Sequence, residues 1–176
     1  MKGEIGTEHL EIARGTDCES VCRFYESVCA FQDTQPCGPA WHYGIYPDPE
    51  ELAEHIRQGE IRLLRQEGQI AAAMVVLPHE DEIYREAAWT VRSEPIAVLH
   101  LFAVGETFRD LGLGKKALRL LLDGEREQGT RAVHLDVVKG NSPAERLYER
   151  VGFRFIEDRE VWYEDTGDLR VALYEY

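Results

Sequence analysis

The sequence predicts a mixed α/β fold, and three observations carry that expectation. Apolar patterning switches repeatedly between the strand and helix periods, an apolar run at Ile96 to Val104 leads through a glycine-bearing loop into a helical pattern, and cap residues punctuate most of the helices. The 176 residues, 44% hydrophobic and 10% aromatic, suffice for a sizeable core, and with no internal repeat or low-complexity linker residues 1–176 read as a single domain.

His9 to Gly15 alternates through Leu10 and Ile12 and reads as a first strand. A helix follows, with Thr16 and Glu19 spaced as a capping box and Val21, Phe24, Val28 and Phe31 as its inward stripe, ending in the polar segment Gln32 to Pro39. Asp48, Pro49 and Glu51 mark a second helix as cap, first-turn proline and third-position acid; Leu52 and Ile56 face inward and Gly59 stops it. Between these helices Trp41 to Pro47 is unusually aromatic for a connection, which suits either the lid of a core or the wall of an acceptor pocket. Ile61 to Arg65 and Gln69 to Leu77 form a hairpin about Glu67-Gly68. Pro78 to Glu94 is charged and poorly periodic, an irregular connection with room for a short helix.

Ile96 to Val104, interrupted only by His100, is a buried strand. Leu113, Ala117, Leu118, Leu121 and Leu122 give a third helix, ended by Gly129. Arg131 to Val138 is a strand in which His134 and Asp136 alternate with Val133, Leu135 and Val137. Ser142 as cap, Pro143 and Glu145 open a fourth helix with a capping box, Ala144, Leu147, Tyr148 and Val151 share its inner face, and Gly152 ends it. Arg154 to Trp162 and Arg170 to Tyr176 are closing strands around a turn at 164–168.

With 33 acidic against 20 basic residues the formal charge is −13, which disfavours nucleic acid and anionic membrane as partners and favours cations. No apolar stretch reaches membrane-spanning length and no basic region precedes an apolar core at the N-terminus, so a soluble cytoplasmic protein is expected. Cys18, Cys22, Cys29 and Cys37 form no Cys-x-x-Cys pair. Cys18 and Cys22 fall one helical turn apart without clustered histidine, so free thiols are expected and no metal.

The stretch from Ile96 to Lys115 is strand, glycine loop and helix N-terminus. Its glycines allow close approach of backbone, and the first-turn amides with the helix dipole suit a phosphate or pyrophosphate. A Walker loop is excluded because Gly114-Lys115 is followed by Lys116 where a hydroxyl is needed. The dinucleotide fingerprint fails because Ala117 stands where its third glycine belongs.

The remaining match, Arg109-x-x-Gly112-x-Gly114 after Ala103-Val104, resembles the acetyl-CoA pyrophosphate loop of the GNAT superfamily of N-acetyltransferases. Asp110 stands where the family often has glycine, and Glu106 where it often has proline. A second motif, Asn141-x-Pro143-Ala144-x3-Leu147-Tyr148-x3-Gly152-Phe153, is similar to the family at its spacing and in its order, and the resemblance covers nearly the whole chain. It implies a mostly antiparallel mixed sheet with helices on both faces, splayed between the two strands that flank acetyl-CoA. Phe102, Ala103 and Val104 would then contact pantetheine, Arg109, Asp110, Leu111, Gly112, Leu113, Gly114 and Lys115 the pyrophosphate, and Asn141 and Tyr148 the far wall.

The chemistry follows from the reactants. A lysine-like amine is neutral in only about one molecule in 2,500 at pH 7, so freeing it costs about 4.6 kcal/mol and a base assists. The departing CoA thiolate takes a proton, for which a phenol is a suitable donor. Tyr148 matches the family's general-acid position; the alternative is a core tyrosine satisfied by backbone. His100 is the base candidate, two residues from Phe102 and hence expected on its face. It resembles a strand histidine of the arylalkylamine N-acetyltransferases, although many members use a glutamate or water, and a buried structural histidine is the alternative. His134 and Asp136 are further candidates.

The resemblance implies transfer of acetyl to a primary amine by direct attack in a ternary complex, with a CoA-binding sensor or interaction domain as the alternative. Aminoglycoside, polyamine, small amine, amino acid and peptide N-terminus all stay open as acceptors, as do other acyl donors and a homodimer.

Overall fold

Among the described residues seven strands form one sheet, β1 (Glu11–Ile12), β2 (Ile61–Gln66), β3 (Gln69–Leu77), β4 (Ile96–Val104), β5 (Ala132–Val138), β6 (Arg154–Tyr163) and β7 (Gly167–Glu175), in the spatial order β1-β2-β3-β4-β5-β7-β6. Every neighbouring pair is antiparallel except β4 and β5. The computed structural model describes residues 9–163 and 166–176, so Glu164 and Asp165 of the expected turn lie outside the described residues. The helices are α1 (Cys18–Gln32), α2 (Pro49–Arg57), α3 (Leu113–Glu127) and α4 (Ser142–Val151).

The two faces of the sheet carry separate cores. Met74, Leu99, Leu118, Leu121, Leu135, Tyr148 and Phe153 pack together on the side of α3 and α4. Val21, Phe24, Tyr25, Val28, Leu52, Ile56, Leu63 and Val75 pack together on the side of α1 and α2. Burying a side chain such as Leu118, fully enclosed here, contributes about 1.5 to 3 kcal/mol. The connection between β3 and β4 forms a third cluster, in which Tyr84, Ala87 and Trp89 cover Val161, Val171 and Leu173.

Local signals decide several boundaries. The Asp48 carboxylate accepts from the Glu50 and Glu51 amides, as its capping position demands, and Pro49 occupies the first turn of α2. Glu67 and Gly68 both take positive φ, 52° and 79°, the geometry of a tight hairpin turn. The β3–β4 connection contains one short 3-10 turn, Glu82–Tyr84.

Three local expectations are corrected. The first strand shrinks to Glu11–Ile12, because a 3-10 turn at Gly15–Asp17 takes over. Asp17 takes the N-cap of α1 in place of Thr16, and its carboxylate instead closes the preceding 3-10 turn by accepting from the Arg14 amide at 2.8 Å. At α4 the cap is Asn141, whose carbonyl accepts from the Ala144 and Glu145 amides, so Ser142 is already helical and forms no capping box.

Candidate active site

The parallel pairing of β4 with β5 covers only Ile96 to Val98 against Ala132 to His134. Beyond Val98 the two strands part, as the family resemblance implies. A cavity of about 1460 Å³ occupies the divergence and reaches both sides of the sheet.

At one end lies the glycine loop. After a 3-10 turn at Glu106–Phe108, Asp110 and Gly112 adopt positive φ of 61° and 75°, and Gly112 is the residue from which α3 starts. A Cβ at Gly112 would have open space but a left-handed backbone, whereas one at Gly114 would come 3.2 Å from Leu147 and 3.3 Å from Val104. The loop thus presents bare backbone and an α-helix N-terminus to the cavity, an arrangement that fits a diphosphate. Arg109 lies over the Phe31 ring, 4.3 Å from its centroid, and its burial lowers its pKa. That places the C-terminal turn of α1 against the loop, a contact with no local sequence signal.

Phe102, Ala103, Val104, Arg109, Asp110, Gly112, Leu113, Gly114, Lys115, Asn141 and Tyr148 all border the cavity. Leu111 does not, and is 66% exposed. Tyr148 is 7% exposed, its ring set among Phe102, Phe153 and Tyr174. Burial, and then the charge of Asp136, raise its pKa well above that of an ordinary phenol, so it holds its proton at neutral pH.

His100 requires a correction. Its partner on β3 is Val75, and the next pair is Ala103 with Ala73, so Met74 stands opposite both Leu101 and Phe102. This is a β-bulge, with Leu101 at φ 50° and its carbonyl held by the Tyr25 hydroxyl of α1 at 2.8 Å. The bulge breaks the alternation on which a shared face depends. Phe102 and Val104 pack with the α3 and α4 core, whereas His100 faces the α1 and α2 side with Val75.

On that side His100 meets an acidic, tyrosine-rich end of the cavity. Its Nε2 is buried and lies 3.3 Å from Asp81 Oδ2, without hydrogen-bond alignment. Asp136 of β5 is also there. Burial raises its pKa, the His100 charge opposes the rise, Asp81 adds to it, and the nearby Tyr84 hydroxyl lowers it. Tyr84 and Tyr163 stand 3.3 Å apart, hydroxyl to hydroxyl, and the field of Asp136 reaches Tyr46. Trp41, Ile45 and Tyr46 line the cavity, and Trp41 also packs edge-on against Tyr25, so the aromatic connection serves both pocket and core. His134, by contrast, is 1% exposed and does not border the cavity. Sequence reasoning missed Asp81 and Tyr163, which line the cavity from an irregular connection and an edge strand, and Tyr84, which pairs with Tyr163 behind them.

The sequence profile described as the Acetyltransferase (GNAT) family matches residues 25–153, and the chain belongs to that family. Among curated relatives, the mycothiol acetyltransferase of Thermomonospora curvata is 33% identical over 108 residues, which is 58% of this chain and 36% of that protein. An uncharacterized N-acetyltransferase of Bacillus subtilis is 25% identical over 109 residues, 62% of this chain and 61% of its own length. The chain therefore spans less than two thirds of these relatives. A GNAT-family acetyltransferase from Listeria monocytogenes superposes with a TM-score of 0.73 at 19% identity, covering 95% of this chain and 92% of that one. The ribosomal-protein-alanine N-acetyltransferase of Brucella melitensis superposes with a TM-score of 0.67 at 17% identity, covering 96% and 99%.

Proposed function

We propose that this chain, as a single catalytic domain, is an acetyl-CoA dependent N-acetyltransferase that passes acetyl to a primary amine by direct attack in a ternary complex. The observation that carries the reading is the continuity of the cavity. It joins the glycine loop to the acidic His100 cluster through the parting of β4 and β5, so donor and acceptor can be held at once. Acetyl-CoA supplies the activated acyl group. The amides of the loop and of the first turn of α3 hold its pyrophosphate, Arg109 and Lys115 add positive charge, and the unpaired edge of β4 at Phe102 to Val104 borders its pantetheine.

The acidic end fits an amine that arrives as its ammonium ion, attracted by Asp81 and Asp136. His100 takes one proton from it, the freed amine attacks the thioester carbon, and the carbon–sulfur bond breaks as the nitrogen yields its second proton to solvent and the amide forms. Tyr148, kept protonated by its burial, donates to the departing thiolate and is reprotonated from solvent. One proton is released overall. One relative is named for mycothiol and one fold neighbour for ribosomal-protein alanine, and the carboxylates here favour an acceptor without a negative group beside the amine.

The test is free-thiol release from acetyl-CoA across a panel of amines, with initial rates measured against both substrates. Intersecting double-reciprocal lines and no acetylated protein by mass are expected. Parallel lines with an acetyl-protein adduct would replace direct attack by a covalent route. Tight acetyl-CoA binding without thiol release for any amine would favour the non-catalytic CoA-binding alternative.

A further inference from the structure

We propose that His134 is a positioning residue for the acceptor side of the reaction: clamped between Glu80 and Glu175 beneath Trp89, it fixes the connection 78–95 so that Asp81 stays against His100. The inference rests on the acetyltransferase reading and concerns a side chain outside the cavity.

His134 Nδ1 lies 2.6 Å from Glu80 Oε2, and its Nε2 lies 3.1 Å from Glu175 Oε2. Each ring nitrogen thus faces one carboxylate, so the imidazole is held from both edges. Glu175 stands directly opposite His134 on β7, and its carboxylate also accepts the Thr90 and Val91 amides at 3.0 Å each and the Thr90 hydroxyl. Trp89 stacks flat on the imidazole, 4.0 Å between centroids and 8° between planes, while its Nε1 donates to the Tyr84 carbonyl at 3.0 Å. The connection is therefore fastened at Glu80 and again at Thr90 and Val91 to one imidazole and the carboxylate that it faces.

Between those fastenings lie the residues that meet the cavity. Asp81, Glu82 and Ile83 line it, and the Tyr84 hydroxyl lies 3.3 Å from that of Tyr163. Asp81 follows Glu80 directly in the chain, and its carboxylate is the one 3.3 Å from His100. A shift of Glu80 is thus passed to Asp81 with no flexible residue between them, and errors of about 1 Å in such contacts cost large factors in rate. Apolar packing of Tyr84, Ala87 and Trp89 on Val171 and Leu173 would hold the connection down, but it fixes position less sharply than hydrogen bonds of defined direction. Burying these polar groups carries a cost of its own, which a purely apolar anchor would avoid.

His134→Gln tests the proposal by steady-state kinetics below its melting temperature. The acceptor KM is expected to rise about tenfold or more while the acetyl-CoA KM stays within about twofold. Asp81→Asn should give the same split, and the double variant should be no worse than Asp81→Asn alone, as expected when one residue acts through the other. The carbon-bound ring protons of His100 should shift in the NMR spectrum of His134→Gln as they do in Asp81→Asn.

A purely structural His134 would lower the melting temperature and leave both KM values and the His100 signals in place. That result, or fully additive KM effects, would overturn the proposal. Should His134→Gln fail to fold, Glu80→Gln, which preserves volume, is expected to show the same split, and an unaltered acceptor KM in that variant would overturn it too. Absence of turnover with every amine would refute the acetyltransferase reading, and the His100 signals would then decide the clamp by themselves.

Discussion

The loop end of the cavity and its acidic end are built by opposite means. The loop end is contiguous chain, Arg109 to Lys115, and works through backbone: two left-handed residues, a helix N-terminus and glycines without Cβ. The acidic end is assembled from side chains far apart in sequence, Tyr46, Asp81, His100, Asp136 and Tyr163, each delivered by a different element. The loop end should therefore tolerate changes of side chain and fail when its backbone is altered. The acidic end should fail on the loss of single atoms while the fold stands.

The largest expected effect tests the point where both ends meet. Tyr148→Phe keeps the ring packing and removes one hydroxyl, so kcat should fall by about 10²- to 10⁴-fold with acetyl-CoA affinity nearly unchanged. Full activity in a folded Tyr148→Phe protein would return the residue to the core. His100→Gln should cost about 10²-fold in kcat/KM and remove a limb from the pH–rate profile, again without loss of acetyl-CoA binding. A profile identical to wild type would leave the acidic end without its base.

Gly112→Val sharpens the contrast from the other side. A β-branched residue forced to φ 75° strains the loop by about 1 to 3 kcal/mol, so acetyl-CoA affinity should fall by about tenfold while acceptor specificity is kept. Calorimetry showing wild-type CoA affinity in that variant would contradict a backbone-built site.

The smallest effect is one of stability. Burial raises the Asp136 pKa, so the folded state holds that proton to higher pH than the unfolded chain does. Its contribution is neutral below the unfolded value of about 4 and becomes destabilising as pH rises from there through the folded value. Asp136→Asn should accordingly melt higher than wild type at pH 7, with the gap closing near pH 4. Equal melting temperatures at both pH values would show that the charge is fully compensated in the fold.

This division also explains what was legible in the sequence. Glycines, the bounds of β4, and Asp48 with Pro49 act within a few residues, so their signals survive in a linear reading. The element order followed from apolar periodicity in the same way. The face of His100 was misjudged because alternation assumes an unbroken pleat, and the residue that breaks it is a leucine, unremarkable in composition. Asp81 and Tyr84 were unreadable because Pro78 to Glu94 has no period. Its placement depends on contacts with β5, β6 and β7, which lie far along the chain.

Leu101 can be understood as a spacer rather than a rung. A strand lacking it would keep both flanking pairs, Val75 with His100 and Ala73 with Ala103, and would set Phe102 opposite Met74 in ordinary succession. The extra residue lengthens one rail of the ladder only, and the carbonyl it contributes is gripped by Tyr25, from a helix. Helix α1 therefore holds the central strand by a residue that owes nothing to strand pairing. Any movement of α1 upon engaging an acceptor would pull on β4 at its bulge.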